Sequence, residues 1–449
     1  MTYRYRIAII FLVGFFIDCI NIFMSAIALP DIARNLSVSE STVTWVANSY
    51  LLGLTLIIPI SNWLASRFGT RQIMTASMLV FSIAAFFAGM ATHFFSLALF
   101  RFIQGLGGGL LIPVGQALTL SLFKKHERAK ISTIIMAVAL IAPAISPGVG
   151  GIIVDHFSWH WVFFSNIPFS LIAALLSFLW IKTEKTTAPK PDLSGLFLVS
   201  LSLASLLLGL SLYAEASTKL VPYILVITGA LFALLYVRHY RRINNPVLDL
   251  NILTNIQMRF SIWVYYAVPG VFTGVNLLNI FYLQQELNWS AEKAGFLMLF
   301  YAAGSFCAIL VCGRIYNQLG SVRLFFAGLI LHAAGIAILA TVNTPQDQLL
   351  LIMAYLLMGI GGGIGANTAQ TTAMLDFEGE NLSRASTIWN LNRQICFSMG
   401  ATIFAMIFNV LQHQTTPATA YHLTFIIAAI SGLLPLLKLR QLAKSRETV

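Results

Sequence analysis

Fourteen long apolar runs leave this chain one structural option. They cover residues 6–30, 42–66, 72–92, 95–123, 129–154, 161–182, 193–214, 219–238, 260–283, 292–313, 323–341, 348–374, 385–411 and 419–437. A crossing of the ~30 Å hydrocarbon layer takes ~20 mostly apolar residues. Lipid offers no partner for backbone N–H and C=O groups, so each run must bond internally, as a helix. The alternating pattern of a barrel strand is absent. Of 449 residues, 58% are hydrophobic and only 10% are charged, too few charges to clothe a water-facing surface. The sequence therefore predicts an all-α integral membrane protein with fourteen transmembrane helices.

A net charge of +11 could point to nucleic acid, but its placement points to topology. With the amino terminus in the cytoplasm, twenty-two of the 27 Lys and Arg fall on the cytoplasmic side. Arg34, Lys219 and Lys293 fall outside, and Arg101 and Arg393 lie within spans. This positive-inside bias predicts both termini in the cytoplasm and the lipid bilayer, not nucleic acid, as the partner. Cys19, Cys307, Cys312 and Cys396 all sit in apolar runs, without disulfide or metal spacing. No metal or cofactor is expected. The first run is too long for a signal-peptide core and is read as a retained helix.

The chain repeats itself. Gly105-Leu-Gly107-Gly108-Gly109 with Gln116 recurs as Gly359-Ile-Gly361-Gly362-Gly363 with Gln370, 254 residues later. Residues Asn62 to Gly69 recur as Gly313 to Gly320, at an offset of 251. Helices 1–6 therefore match helices 9–14, and helices 7 and 8 are an insertion. The expected division is a six-helix half at 1–182, an inserted pair with linkers at 183–259 and a second six-helix half at 260–449. Parallel halves of this kind are a transporter architecture. Pro189, Pro191 and Asn245-Pro246 mark the linkers.

Four motifs carry a resemblance over essentially the whole chain. After helix 2 stands Asn62-Trp-Leu-Ala-Ser66-Arg67-Phe-Gly69-Thr-Arg71; helix 4 carries Arg101-Phe-Ile-Gln104-Gly105. Helix 5 carries Ala142-Pro143 and Ser146-Pro147-Gly148-Val149-Gly150-Gly151; helix 6 opens on Trp159-His-Trp161-Val-Phe163-Phe164-Ser-Asn166-Ile-Pro168. The chain resembles the major facilitator superfamily, in its fourteen-helix drug:proton antiporter branch. The resemblance implies that the loop after helix 2 helps to latch the halves at the cytoplasmic face. The branch has an acid where this chain has Ser66, so a neutral hydrogen bond would make the latch here. It implies also that helix 5, with Pro143, Pro147, Gly150 and Gly151, serves export against a proton gradient. On helix 1, alignment on Ala28-Leu29-Pro30 puts Asn21 at the branch's acidic position, with Asp18 one turn earlier.

Of sixteen Asp and Glu residues, Asp18 alone falls deep in a span, ~16 Å from its cytoplasmic end. A central Asp costs roughly 2.5–3.5 kcal/mol to insert, so it marks a cavity or a partner. A carboxyl so placed can take a proton from one side and release it to the other. Asp18, Asn21 and Ser25, at i, i+3 and i+7, form one polar stripe. Arg101, always protonated, is the second coupling candidate, with Gln104 on its face. Substrate-cavity candidates are Asn276 and Asn279 after Pro269-Gly270 on helix 9, Asn367 and Gln370 on helix 12, and Asn390 and Arg393 on helix 13. His332 and His422 are expected to be structural.

The expectation is a proton-coupled secondary transporter, not an enzyme. It would export a small amphipathic compound (a drug, metabolite or siderophore) by alternating-access antiport from the inner membrane. An accessory export partner is not specified by any motif. The rival readings are a proton-coupled importer, a channel, which the two-half repeat disfavours, and a non-transporting sensor or scaffold. The tails of about five and twelve residues leave no room for the signalling domain a sensor would need.

Overall fold

The computed structural model describes residues 2–182, 190–215, 220–289 and 291–447. Pro189 and Lys219 lie outside them, as do the side chains of Pro143 and Pro147. The described secondary structure is helical throughout. In chain order the long helices are α1 (Tyr3–Leu36), α2 (Trp45–Phe68), α3 (Thr70–Gly89), α4 (Phe94–Ser121), α5 (Lys125–His156), α6 (His160–Trp180) and α7 (Leu193–Glu215). There follow α8 (Leu220–Tyr240), α9 (Ile256–Glu286), α10 and α11 within Ala291–Leu339, α12 (Gln348–Met374), α13 (Gly379–Gln412) and α14 (Pro417–Leu433). The fourteen helices match the fourteen apolar runs.

Two boundaries show why the sequence folds this way. The chain turns between α2 and α3 at Gly69 (φ 90°, ψ 142°), and between α10 and α11 at Gly320 (φ 74°, ψ 165°). This region of backbone space is essentially closed to residues with a Cβ. These are the two glycines that the 251-residue repeat superposes. Within α9 the turn Tyr266–Gly270 widens to a π-helical turn around Pro269, which has no N–H to give the ladder. The helix is thus widened there, not broken.

The outer surface is apolar, unlike that of a soluble protein. Large apolar side chains point outward along α6 (Leu171, Leu175, Phe178) and α8 (Ile227, Leu231, Leu234), whereas Ser, Thr and Gly fill the helix contacts. That is the arrangement expected where lipid is the solvent and small residues allow close helix approach.

Contacts divide the chain into two units. The first comprises 1–123, 141–252 and 377–391; the second comprises 124–140, 253–376 and 392–449. In the first, α4 is central, with α1, α2 and α3 packed on it, and α7 of the inserted pair lies against α2. In the second, α12 is central, with α9, α10 and α11 around it. Each unit thus includes a short segment of the opposite sequence half: 377–391, the start of α13, in the first, and 124–140, the start of α5, in the second.

Candidate functional site

Close helix contact builds the site. The Cβ positions of Gly105 and Gly109 face the backbone carbonyls of Tyr50 and Leu54 on α2, so a side chain at either place would force α2 and α4 apart. Gly108 leaves room for two polar groups: its Cβ position lies 2.8 Å from both the Asp18 carboxylate and the Tyr50 hydroxyl. The glycine cluster therefore makes the space in which the buried polar groups meet.

Asp18, Asn21 and Ser25 are all buried on one face of α1, as their spacing predicts. The Tyr50 hydroxyl donates to Asp18, whose side chain is in turn almost wholly enclosed. Arg101 is 0% exposed. Its Nε donates to the Val46 carbonyl at 3.0 Å. One terminal nitrogen donates to Asn21 at 3.1 Å and to Gln104 at 2.7 Å, and the other donates to Ser25 at 3.1 Å. The planar five-donor fork of arginine suits this set of acceptors, and a lysine could not reproduce it. The guanidinium carbon lies 4.4 Å from the Tyr50 ring centre and 5.5 Å from that of Phe163, a cation–π arrangement.

Asn21 ties the cluster together. Its carbonyl oxygen also accepts from Gln104 at 3.3 Å and from Asn166 at 3.5 Å, while its Nδ2 has no partner among the described residues. A buried donor left so costs about 1–3 kcal/mol, and it is open to an acceptor that enters the site. Tyr50 was not singled out by sequence reasoning, which followed charge, and Asn166 entered it only as part of the helix 6 motif. The signal for Tyr50 was the repeat, since Tyr301 stands 251 residues on, at the offset of the two turn glycines.

The second unit holds an uncharged copy. The Cβ position of Gly359 faces the Tyr301 carbonyl, and that of Gly362 lies 2.8 Å from the Tyr301 hydroxyl, as Gly105 and Gly108 do with Tyr50. Tyr355 takes the place of Arg101 at the 254-residue offset. Its hydroxyl accepts from Asn279 at 3.0 Å and donates to Asn276 at 2.9 Å. Asn276 and Asn279, three apart on α9, thus bond Tyr355 much as Asn21 and Ser25 of α1 bond Arg101. The Asn279 carbonyl oxygen is buried with no partner among the described residues.

The structure does not bring the remaining candidates into these clusters. Asn367 donates to Thr133 of α5 at 3.4 Å, and Gln370 is buried in α12. Asn390 donates to Gln116 of α4 at 2.6 Å, beside Ser386, which donates to the same oxygen at 3.0 Å. Arg393 is half-buried one turn further along α13. His422 bonds the Val342 carbonyl at 2.8 Å, whereas both ring nitrogens of fully buried His332 lack a partner among the described residues. Gly150 packs α5 against Met24 of α1, and Gly151 faces open space. Around the turn after α2, Arg67 is exposed and Arg71 lies over the Phe178 ring at 4.1 Å. One turn before Ser66, Asn62 donates to Thr387 at 2.8 Å. Ser66 lines a cavity of about 800 Å³ within the first unit, together with Trp63, Asp192, Asp249 and Arg384.

The sequence profile of the Major Facilitator Superfamily matches residues 11–275 and 262–448, one match for each half of the repeat. The chain belongs to the major facilitator superfamily. The multidrug resistance protein B homolog of Mycobacterium tuberculosis is 26% identical over 408 residues, covering 89% of this chain and 76% of that protein. The putative multidrug resistance protein MdtD of Salmonella paratyphi B is 26% identical over 420 residues, covering 92% and 88%. Among solved structures, the human organic anion transporter MFSD10 (TETRAN) superposes with a TM-score of 0.71 at 12% identity, covering 98% of this chain and 100% of that one. The proton:xylose symporter XylE superposes at 0.67 and 14% identity, covering 98% and 95%. The facilitator fold is thereby established. The chain is a multi-pass membrane protein and, as a superfamily member, a secondary transporter.

Proposed function

We propose that this facilitator exports a small amphipathic compound in exchange for protons, with Asp18 as the proton carrier. One observation carries the reading. Among the described residues, Asp18 is the one acid in the interior of a span, and it is held by Tyr50 beside the buried Arg101 network. Charge placement supports the cytoplasmic, inner membrane and both termini in the cytoplasm. The names of the relatives support export of a drug-like cargo. Protonation of Asp18 and binding of the cargo would each favour a different state, and a ligand drives such a change only through its different affinity for the two. Asn21, Ser25 and Gln104 would line the cargo site in the first half, and Asn276 and Asn279 in the second.

The test uses purified protein in liposomes holding a pH-sensitive dye, with an inward proton gradient and a panel of amphipathic compounds. Compound-dependent proton flux that disappears in Asp18→Asn is the expected result. Flux that survives in Asp18→Asn overturns the assignment of the carrier, and flux with no compound in wild type overturns the exchange.

A further inference from the structure

The inserted pair α7–α8 has no counterpart in the repeat. What it adds is a rigid mount for one carboxylate. The linker that leaves α8 is pinned at three consecutive residues. Asp192, just before α7, accepts from the Val247 N–H at 3.3 Å while it bonds His239 at 2.8 Å. Tyr236 of α8 donates its hydroxyl to the Leu248 carbonyl at 2.6 Å and accepts from the Leu248 N–H at 2.9 Å. Asp249 is the next residue. One of its oxygens accepts from the Asn251 N–H at 3.0 Å and from Tyr240 at 3.4 Å, which fixes the direction of the carboxylate.

The other oxygen accepts from Arg384, in the second turn of α13, at 2.6 Å. Arg384 also donates to Glu380, one turn back on its own helix, at 2.6 Å. The Asp249 side chain is only 11% exposed and that of Arg384 29%, so the pair is shielded better than an open surface pair. It stands beside the Asn62–Thr387 and Gln116–Ser386 hydrogen bonds, which join the same stretch of α13 to α2 and α4. Those two bonds are neutral, and Ser66 supplies no charge.

We propose that the inserted helix pair serves as the mount of an ionic latch, Asp249 to Arg384, which holds the start of α13 against α2 and α4 and sets the balance between closed and open cytoplasmic ends. The proposal rests on the alternating-access reading, in which the start of α13 must leave α2 and α4 once per cycle. Asp249 and Arg384 are positioning residues in this scheme and touch no cargo. Because the linker is pinned to α7 and α8, and α7 lies against α2, Asp249 cannot follow Arg384 outward. The ion pair must break when the cytoplasmic end opens. Glu380 travels with Arg384 on the same helix and offers it a partner after release, which keeps the guanidinium from being stranded.

The test reads opening directly, without a known cargo. Ala117 lines the cavity beside Gln116 and is buried. With the exposed Cys307 replaced by Ser, Ala117→Cys is labelled from the cytoplasmic side with a membrane-impermeant maleimide in the full-length protein. Asp249→Asn is expected to raise the labelling rate by roughly two- to fivefold. Glu380→Gln, which removes only the same-helix partner that serves Arg384 after release, is expected not to raise it. The exchange of Asp249→Arg with Arg384→Asp is expected to restore slow labelling and shows that folding is intact. An unchanged rate in Asp249→Asn, an equal rise in Glu380→Gln, or no restoration in the exchange overturns the latch. Dye-reported proton flux on the same protein separates the two readings. Flux with unaltered labelling removes the latch alone, and altered labelling with no compound-dependent flux removes the exchange alone.

Discussion

Tyr50 stands between the two buried charges of the first unit: its hydroxyl donates to Asp18 and its ring lies 4.4 Å from the guanidinium carbon of Arg101. One side chain thus contacts an acid through its polar tip and a cation through its π face. Tyr50→Phe separates these roles, since it keeps the ring and removes the donor. A hydrogen bond to a charged group contributes about 1.5–3 kcal/mol. Compound-dependent proton flux in Tyr50→Phe is therefore expected to fall by about tenfold or more, while thermal unfolding in detergent changes little. Wild-type flux in that variant would show that the hydroxyl does not hold the carboxylate in a working position.

Arg101→Lys keeps the charge and discards the fork. Four acceptors now served by one side chain, on Val46, Asn21, Gln104 and Ser25, cannot all be reached by an ammonium group. The expected cost is about 2 kcal/mol or more, read as a lower midpoint of thermal unfolding, together with a loss of flux larger than that of Tyr50→Phe.

The glycines of α4 and α12 separate packing from chemistry. Gly105→Ala and Gly359→Ala press a methyl group against a backbone carbonyl, that of Tyr50 or Tyr301. Each is expected to destabilise by about 1–3 kcal/mol. Gly151→Ala meets nothing within 4 Å and is expected to leave stability level or raise it by up to about 1 kcal/mol through helix propensity. Equal midpoints for all three variants would contradict the close approach of the helices.

Asp347, in the turn before α12, accepts from the backbone N–H groups of Asn343 at 3.0 Å and Thr344 at 2.9 Å. These bonds, the Asn343 bond first, hold its carboxyl below the usual carboxylate range. A group whose folded value is depressed stabilises fully above its unfolded value, and the stabilisation is lost as pH falls through the folded value. Hydrogen exchange at Asn343 and Thr344, corrected for intrinsic rate, is expected to quicken below about pH 4. In Asp347→Asn it is expected to be fast at every pH.

The fourteen helices were legible because lipid imposes a length and a hydropathy that any window can read. The repeat was legible because glycine is irreplaceable at Gly69 and Gly320, where φ is positive, and at Gly105 and Gly359, where backbones touch. The stripe of Asp18, Asn21 and Ser25 followed from helical spacing alone. The partners did not follow. Tyr50 is neutral and lies 32 residues from Asp18, and no local pattern links them. Arg384 and Asp249 are 135 residues apart, and each reads in sequence as an ordinary loop or helix-end charge. Asn390 bonds Gln116, 274 residues away. Tertiary contact chose these pairs, and sequence periodicity carries no information about it.

The uncharged copy around Tyr355 has a thermodynamic meaning. Under the proposed exchange one ionisable carboxyl takes up at most one proton per cycle, so the free energy stored in the cargo gradient is bounded by the electrochemical potential difference of one proton. The residue 254 positions after Asp18 is Phe272, whose ring stacks on that of Tyr301 with centres 3.9 Å apart. An acid at that place would, under the same exchange, let the second cluster take up a proton as well and double that bound. The two clusters share one architecture, and under the proposed exchange the ceiling on what the protein can concentrate follows from the apolar ring that stands where the first cluster has its acid.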